Sequence, residues 1–268
     1  MSVGSDPAEL LEAYQTQLRA HVHEPMPESV RVEWDGPLQR AGGFGGQGWI
    51  LYRDLGGIEG DELDELIARQ VRFFAELGQR FEWKYHGHDL PTDLPERLLT
   101  AGFVPEERET IVIAPIEILT AEPVLPDEVA IREVFERDDM ERIAVLERTV
   151  YGRGEDYGWM DELAEERRAD PEGLRIFVAE GGDIVVSAGW VRFPSGTEFG
   201  TFWGGATHPE WRGRGIYRAL VAHRARLAAE RGCRFIEVDA SDDSNPILQR
   251  LGFVPVTTTT PYIWSPGG

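Results

Sequence analysis

"GGATHPEWRGRGIYRAL", residues 204–220, decides how the rest of the chain is read. An extended run ends in a turn holding Arg212, Gly213, Arg214 and Gly215, after which Ile216, Ala219, Leu220, His223 and Leu227 recur at helical spacing. The first N–H groups of a helix lack intrahelical partners, the local dipole is positive, and glycine lets a diphosphate approach without meeting a side chain. Two arginines add charge-assisted hydrogen bonds. In a chain of net charge −21 this positive turn is an exception, and it reads as strand, phosphate-binding turn, helix.

Outward from that turn, strands and helices alternate from Val129 onward. "VAIREV" is a strand, "RDDMERIAVLERTVYG" a helix, and a second helix lies within "DYGWMDELAEERRADPEG". "LRIFVAE", "DIVVSAGWVRF" and "TEFGTFWGGAT", separated by Gly-Gly and Pro-Ser-Gly turns, predict an antiparallel meander. Past the Arg/Gly turn the helix ends at Gly232. "CRFIEVDA" is then a strand, "NPILQRL" a short helix with Asn245 suited to its N-cap, and "FVPVTTTTPYIW" a closing strand.

The same order occurs upstream. "RFEWKYH" matches "RFIEVDA", "DLPERLLTAG" matches "NPILQRLG", and Gly-Phe-Val-Pro ends both series, at residues 102–105 and 252–255. Before them, Leu63, Leu66, Ile67, Val71, Phe74 and Leu77 form a helix preceded by the strand "GWILYRDL". The chain therefore carries a repeat whose first copy is shortened at its front, with "IEILTAEPVLPDE" as the linker.

The run of strand, Pro209, Arg212, Gly215 and helix resembles the strand–x–Pro–x–x–Arg–x–x–Gly–x–(Gly or Ala)–helix acyl-CoA-binding motif of the GNAT acetyltransferase superfamily, and "ILQRLGFVPV" resembles its last helix and strand. The resemblance covers about residues 129–264. It implies an α/β (α+β) fold of two GNAT-like domains, each a mixed, mostly antiparallel sheet flanked by helices, with the C-terminal copy complete and the N-terminal copy truncated. The expected division is 1–120 for a degenerate domain and 125–268 for the acyltransferase domain. By the same resemblance, Arg212, Gly213, Arg214, Gly215, Ile216 and Tyr217 would hold the pyrophosphate of acetyl-CoA as co-substrate. Ala206 and Thr207 would pair with its pantetheine arm, Asn245 would add a cofactor contact, and the strands would part between "FWGGAT" and "FIEVDA" to admit the thioester. Three positions depart from the family pattern: Tyr217 replaces a small residue, Leu248 stands where many members have a tyrosine acid, and Thr201 stands where some have a base.

Acyl transfer to an amine needs the amine neutral at attack and a proton for the leaving thiolate. Glu237 and Asp239 alternate with apolar residues on "FIEVDA" and share one strand face, so they rank first as base, with Glu198 next. Their competing reading is a solvated sheet end or pairing with arginines. Tyr262, Tyr217 or water would serve as acid. In the first copy "GGIEGDEL" aligns with "WRGRGIYR" and offers Gly57 and Glu59 in place of the two arginines, with Asp61 and Glu62 close behind, so no acyl-CoA site is expected there.

Composition narrows the classes further. The acidity disfavours a nucleic-acid backbone as partner and slightly favours a cationic amine, of a small molecule or a peptide, as acceptor. No apolar run reaches membrane-span length and no basic leader opens the chain, so a cytoplasmic protein without a membrane partner is expected, with a homodimer unsurprising. A lone cysteine, Cys233, excludes an internal disulfide and reads as structural. His21/His23 and His86/His88 have the spacing of some metal ligands but no third partner, so no metal is expected. "GFGGQG" (43–48) precedes a strand with no helix directly after it, the reverse of a dinucleotide fingerprint, and reads as a hairpin loop. His223 reads as a core histidine. Trp159, Trp190 and Trp203 read as core packing, with an acyl or acceptor pocket as the alternative. A non-catalytic acyl-CoA sensor and a transferase of larger acyl groups are the rival functions.

Overall fold

The structure is a computed structural model that describes residues 6–22, 31–44, 47–121, 124–152 and 158–267. In chain order its elements are α1 (Pro7–Gln17), β1 (Arg31–Asp35), β2 (Leu38–Phe44), β3 (Gln47–Leu51), α2 (Gly60–Leu77), β4 (Arg80–His86), α3 (Leu94–Thr100), β5 (Val104–Pro105) and β6 (Glu109–Pro115). They continue with β7 (Val129–Glu133), α4 (Arg137–Tyr151), α5 (Gly158–Ala169), β8 (Leu174–Gly181), β9 (Ile184–Arg192), β10 (Phe199–Thr207), α6 (Ile216–Glu230), β11 (Phe235–Ala240), α7 (Asn245–Arg250) and β12 (Val254–Trp264). His23 and Gly45–Gly46 of the glycine loop lie outside the described residues. From Gln47 onward the elements fall where the periodicity puts them, except that the closing strand expected over residues 103–115 breaks into β5 and β6. Helix α1 and the hairpin β1–β2 were not legible, because "RVEWD" and "LQRAGGF" alternate too weakly to announce strands.

The described chain forms two compact units, one of residues 6–112, 239–247 and 255–268, the other of residues 113–238 and 248–254. This differs from the expected 1–120 and 125–268 division chiefly at the C-terminus. Strand β12 pairs antiparallel with β4, from Thr259 opposite His86 to Trp264 opposite Phe81, and so closes the N-terminal sheet. Both Phe-Val-Pro strands carry the same local signature, and alternation settles which face a strand buries, not which strand it pairs with.

In the N-terminal unit β1, β2 and β3 form an antiparallel meander, β3 runs parallel to β4, and the short β5 pairs with β12. Leu63, Leu66, Ile67 and Phe74 of α2 and Leu94 and Leu98 of α3 pack on Phe81, Trp83 and Tyr262. Gly48 is required there, since a Cβ would lie 2.1 Å from the Phe74 ring.

In the C-terminal unit β8, β9 and β10 form the expected antiparallel meander, β7 pairs antiparallel with β8, and β11 joins β10 in parallel. Alternation on β8 sorts the two faces: Ile176 and Val178 pack with α4 and α5 residues such as Ile143 and Leu163, whereas Ala179 packs with Ile216 of α6. The segment expected as a linker starts as a 3-10 turn, Ile116–Ile118, whose Ile116 N–H donates to Arg234 O at 2.9 Å.

Candidate functional site

The turn ahead of α6 has the backbone its glycines predict. Gly213 and Gly215 have φ of 75° and 81°, left-handed values that a side chain would make costly. Gly215 is the N-cap, with no side chain capping the helix and no acid in its first turn, so its leading N–H groups meet no competing carboxylate of their own helix. Arg212 and Arg214 are both exposed. Arg212 Nε donates to Thr207 O at 3.1 Å, which ties the turn to the end of β10. Arg214 lies over the Trp211 ring at 4.7 Å and 3.5 Å from Glu128, an exposed pair of little energetic weight. The donor set and the bare glycines suit a diphosphate.

Strand β10 leads into this turn through a bulge. Its register with β9 shifts between Gly204 and Ala206, and Gly204 and Gly205 have φ of 72° and 101°. Glycine is also demanded sterically: a Cβ at Gly204 would come 2.5 Å from Trp190, and one at Gly205 would come 3.0 Å from Tyr217. The bulky Tyr217 therefore packs sideways against β10, and burial pushes its phenol above the usual tyrosine range. Ala206 and Thr207 pair with Ala188 and Ser187 of β9, while the parallel register with β11 covers Phe199 to Thr201. At Ala206 and Thr207, β10 is thus laddered to β9 on one side, beyond its register with β11.

Beneath the bulge lies a residue that sequence reasoning missed. Arg224 of α6 is 2% exposed, and its Nη1 donates to Trp190 O at 2.9 Å and Trp203 O at 3.2 Å, bridging β9 and β10 beside the register shift. The Phe202 ring lies 4.3 Å away, and Gly189 makes room, since a Cβ there would sit 2.9 Å from Nη1. Burial pulls its pKa down to about 10, so the guanidinium stays charged at neutral pH. An arginine on the inner face of a helix beneath glycine-bearing strands was the available signal.

The candidate carboxylates separate. Glu237 is 5% exposed and pairs with Thr201 in the parallel register, on the sheet face that carries α4 and α5. Asp239 and Asn245, the latter opening α7, belong to the other unit. Asp239 binds Lys84, the chain's single lysine, at 2.6 Å, so its competing reading holds for this residue except that the partner is a lysine. Glu198 pairs with Arg234 at 2.7 Å on the surface. Tyr262 is 7% exposed within the N-terminal core, 6.4 Å from Tyr85 edge-to-face, with burial pushing its phenol up. Leu248 is fully buried.

Lys84 also draws in Glu109, at 3.9 Å. Burial opposes the lysine's charge, yet Asp239 and Glu82 outweigh it and raise its pKa. Burial first, then the charge of Asp239, pushes the Glu109 carboxyl up to about 7. A carboxyl that holds its proton more tightly when folded gives stability that is full below its unfolded pKa and is lost as pH rises through the folded one. The wild-type protein should therefore lose stability between about pH 4.5 and 7. Glu109→Gln should flatten that part of the profile in urea melts; an unchanged slope would show that Glu109 does not titrate there.

The first copy keeps the backbone of the turn but not its charge. Gly56, Gly57 and Gly60 have φ of 63°, 82° and 59°, while Glu59 is the N-cap of α2 and Asp61 and Glu62 occupy its first turn. The parallel ladder of β3 and β4 runs from Gln47–Arg80 to Ile50–Trp83. Just beyond it the Tyr52 hydroxyl donates to Asp89 Oδ2 at 2.6 Å and lies 3.2 Å from Lys84 O. Arg19 pairs with Asp89 and covers the Tyr52 ring at 4.8 Å. Side chains thus bridge β3 and β4 at that point.

The remaining candidates take other places. His86 is buried, its Nε2 lies 3.0 Å from the Tyr14 hydroxyl, and burial holds its pKa down to about 2. His88 Nδ1 lies 2.7 Å from Thr257 Oγ1. Among the described residues no group of three His, Cys, Asp or Glu side chains is placed to hold a metal, and no helix is long and apolar enough to cross a membrane. His223 is half-buried, edge-to-face with Phe177 at 4.9 Å, and lines a cavity of about 360 Å³, so it borders an opening instead of filling the core. Burial raises the pKa of Cys233, which suits a structural thiol.

Comparison with known proteins agrees with this geometry. Residues 137–253 match the Acetyltransferase (GNAT) family. The whole chain superposes on a GCN5-related N-acetyltransferase from Kribbella flavida with a TM-score of 0.68 at 16% identity, covering 100% of this chain and 98% of that one. A tandem GNAT protein from the clavulanic acid biosynthesis pathway gives a TM-score of 0.62 at 15% identity, with 100% and 98% covered. A GCN5-related N-acetyltransferase from Sphaerobacter thermophilus gives 0.60 at 14% identity, with 96% and 85% covered. At such identities these likenesses speak for the fold over both copies. Residues 137–253, which hold the arginine-glycine turn, are thus the part of the chain that is similar to the acetyltransferase (GNAT) family.

Proposed function

We propose that the protein is an N-acyltransferase that moves an acetyl group from acetyl-CoA to the primary amine of a small molecule or peptide by direct attack in a ternary complex. The observation that carries this reading is the turn before α6, with left-handed Gly213 and Gly215, a helix start without a capping side chain, and exposed Arg212 and Arg214. Those residues, with Ile216 and Tyr217, would hold the diphosphate, and the β10 edge at Ala206 and Thr207 would hold the pantetheine arm. Acetyl-CoA, when bound, supplies an activated acyl thioester.

The chain's own groups account for the protons. A carboxylate oxygen of Glu237, on the strand beside Thr201, takes the proton of the acceptor ammonium directly or through water. The Tyr217 phenol, raised by burial and so protonated at neutral pH, lies against Gly205 and is the better placed of the candidate acids, Tyr262 being in the N-terminal core. Calorimetric titration with acetyl-CoA, followed by a CoA-release assay over a panel of amines, tests the proposal. Binding without release would make the protein a sensor. Glu237→Gln should lower kcat by about 100-fold while leaving acetyl-CoA affinity within about twofold. An unaltered pH–rate profile would remove Glu237 from the mechanism.

A further inference from the structure

Three tryptophans form a strip on the sheet face that carries Glu237. Trp190 of β9 and Trp203 of β10 are register partners, so they share a face, and Trp159 at the start of α5 stacks on Trp190 with centroids 5.9 Å apart at 28°. Trp190 is 7% exposed, and its Nε1–H has no partner among the described residues, so stacking and the bare backbone of Gly204 place its ring. Trp159 and Trp203 remain 37% and 41% exposed.

Two anchors keep Trp203 in place. Its Nε1–H donates to Thr201 Oγ1 at 2.9 Å, and Arg192 lies over its ring at 4.9 Å, itself held by Glu166 of α5 at 2.6 and 2.7 Å. The ring is thus fixed without being buried, a costly arrangement for a side chain of this size unless something covers it. Thr201 is also the register partner of Glu237. Two residues along one strand and one strand across put Trp203 and Glu237 about 8 Å apart at their β-carbons. A ring carrying an amine on a two-carbon arm, plus one hydrogen bond from that amine to the carboxylate, covers such a spacing.

We propose that this strip binds the flat aromatic body of an arylalkylamine acceptor, with its amine directed at Glu237. The inference rests on the acyltransferase reading for what happens to the amine, but not for the binding. A ring stacks on Trp159 and Trp203 by offset or edge contacts that a saturated ring of equal carbon count cannot reproduce, and the acidic chain favours the cation.

The test uses the full chain with and without acetyl-CoA, titrated calorimetrically with phenethylamine, cyclohexylethylamine and putrescine. Phenethylamine should bind at least tenfold tighter than either of the others. Trp203→Leu and Trp159→Leu should each weaken it by about tenfold without altering acetyl-CoA affinity, and Trp203→Phe should restore most of the loss. Equal affinity for the two ring amines, preference for putrescine, or leucine variants with wild-type binding would overturn the proposal. Selective phenethylamine binding with no CoA released from any amine would uphold the strip and reject acyl transfer. Release from other amines without aromatic preference would do the reverse.

Discussion

Replacing Arg212 and Arg214 together by alanine is expected to weaken acetyl-CoA binding by about 100-fold, because each charge-assisted hydrogen bond to a diphosphate at an exposed site contributes roughly 1.4 kcal/mol. The folded state should barely notice. Both side chains are exposed, and their protein partners are the Thr207 carbonyl, the Trp211 ring and the exposed Glu128. Surface changes of this kind stay within about 0.5 kcal/mol. Arg137→Ala, at a side chain 77% exposed on α4, controls for the loss of positive charge in an acidic protein. The wild-type affinity should fall with added salt, and the double variant should show a shallower slope. Unchanged affinity in the double variant would place the diphosphate elsewhere.

Arg224 should yield the largest stability effect. Its burial without a carboxylate among its hydrogen-bond partners costs free energy, which the carbonyls of Leu220, Trp190 and Trp203 offset. Arg224→Met keeps the length but leaves the two strand carbonyls beside the bulge without their donor. A loss of roughly 2–3 kcal/mol is expected, net of the relieved desolvation, read from urea midpoints. Arg224→Lys should be at least as damaging, since an ammonium is a point donor that holds its water more strongly than a guanidinium and cannot span two strands as a planar fork does. A methionine variant as stable as wild type would show that the guanidinium is a net cost to the fold. The bulge it supports bears the β10 edge assigned to the pantetheine arm, so Arg224→Met should also weaken acetyl-CoA binding, whereas an exposed change such as Arg137→Ala should not.

Much of the site was legible because it is local. The Arg/Gly turn, the helix it starts and the strand it ends lie within residues 199–230, and each depends on neighbours a few positions away. Glu237 ranked as a base on alternation alone, and the structure keeps it on the sheet face shared with Trp203. Asp239 ranked equally on the same pattern, yet its partner Lys84 is 155 residues away and could not be read from spacing. Arg224 escaped notice because helical periodicity marks it as facing inward without saying which carbonyls it would meet. The tryptophans were singled out by type, but only cross-strand register shows that Trp190 and Trp203 share a face with Glu237.

By itself the sequence determined the repeat, the helix stop and Phe-Val-Pro strand that end each copy, and the contrast between arginines at one turn and carboxylates at the other. These follow from periodicity, glycine conformation and charge, which act over a few residues. Tertiary structure alone decided that β12 pairs with β4, that Tyr52 and Arg19 bridge β3 and β4 in the first copy, and which carboxylate stays beside β10. Two closing strands of the same local pattern are equally suited to either sheet. Only the packing of Tyr262 and Trp264 against Trp83 and Phe81, summed over partners far apart in the chain, selects between them.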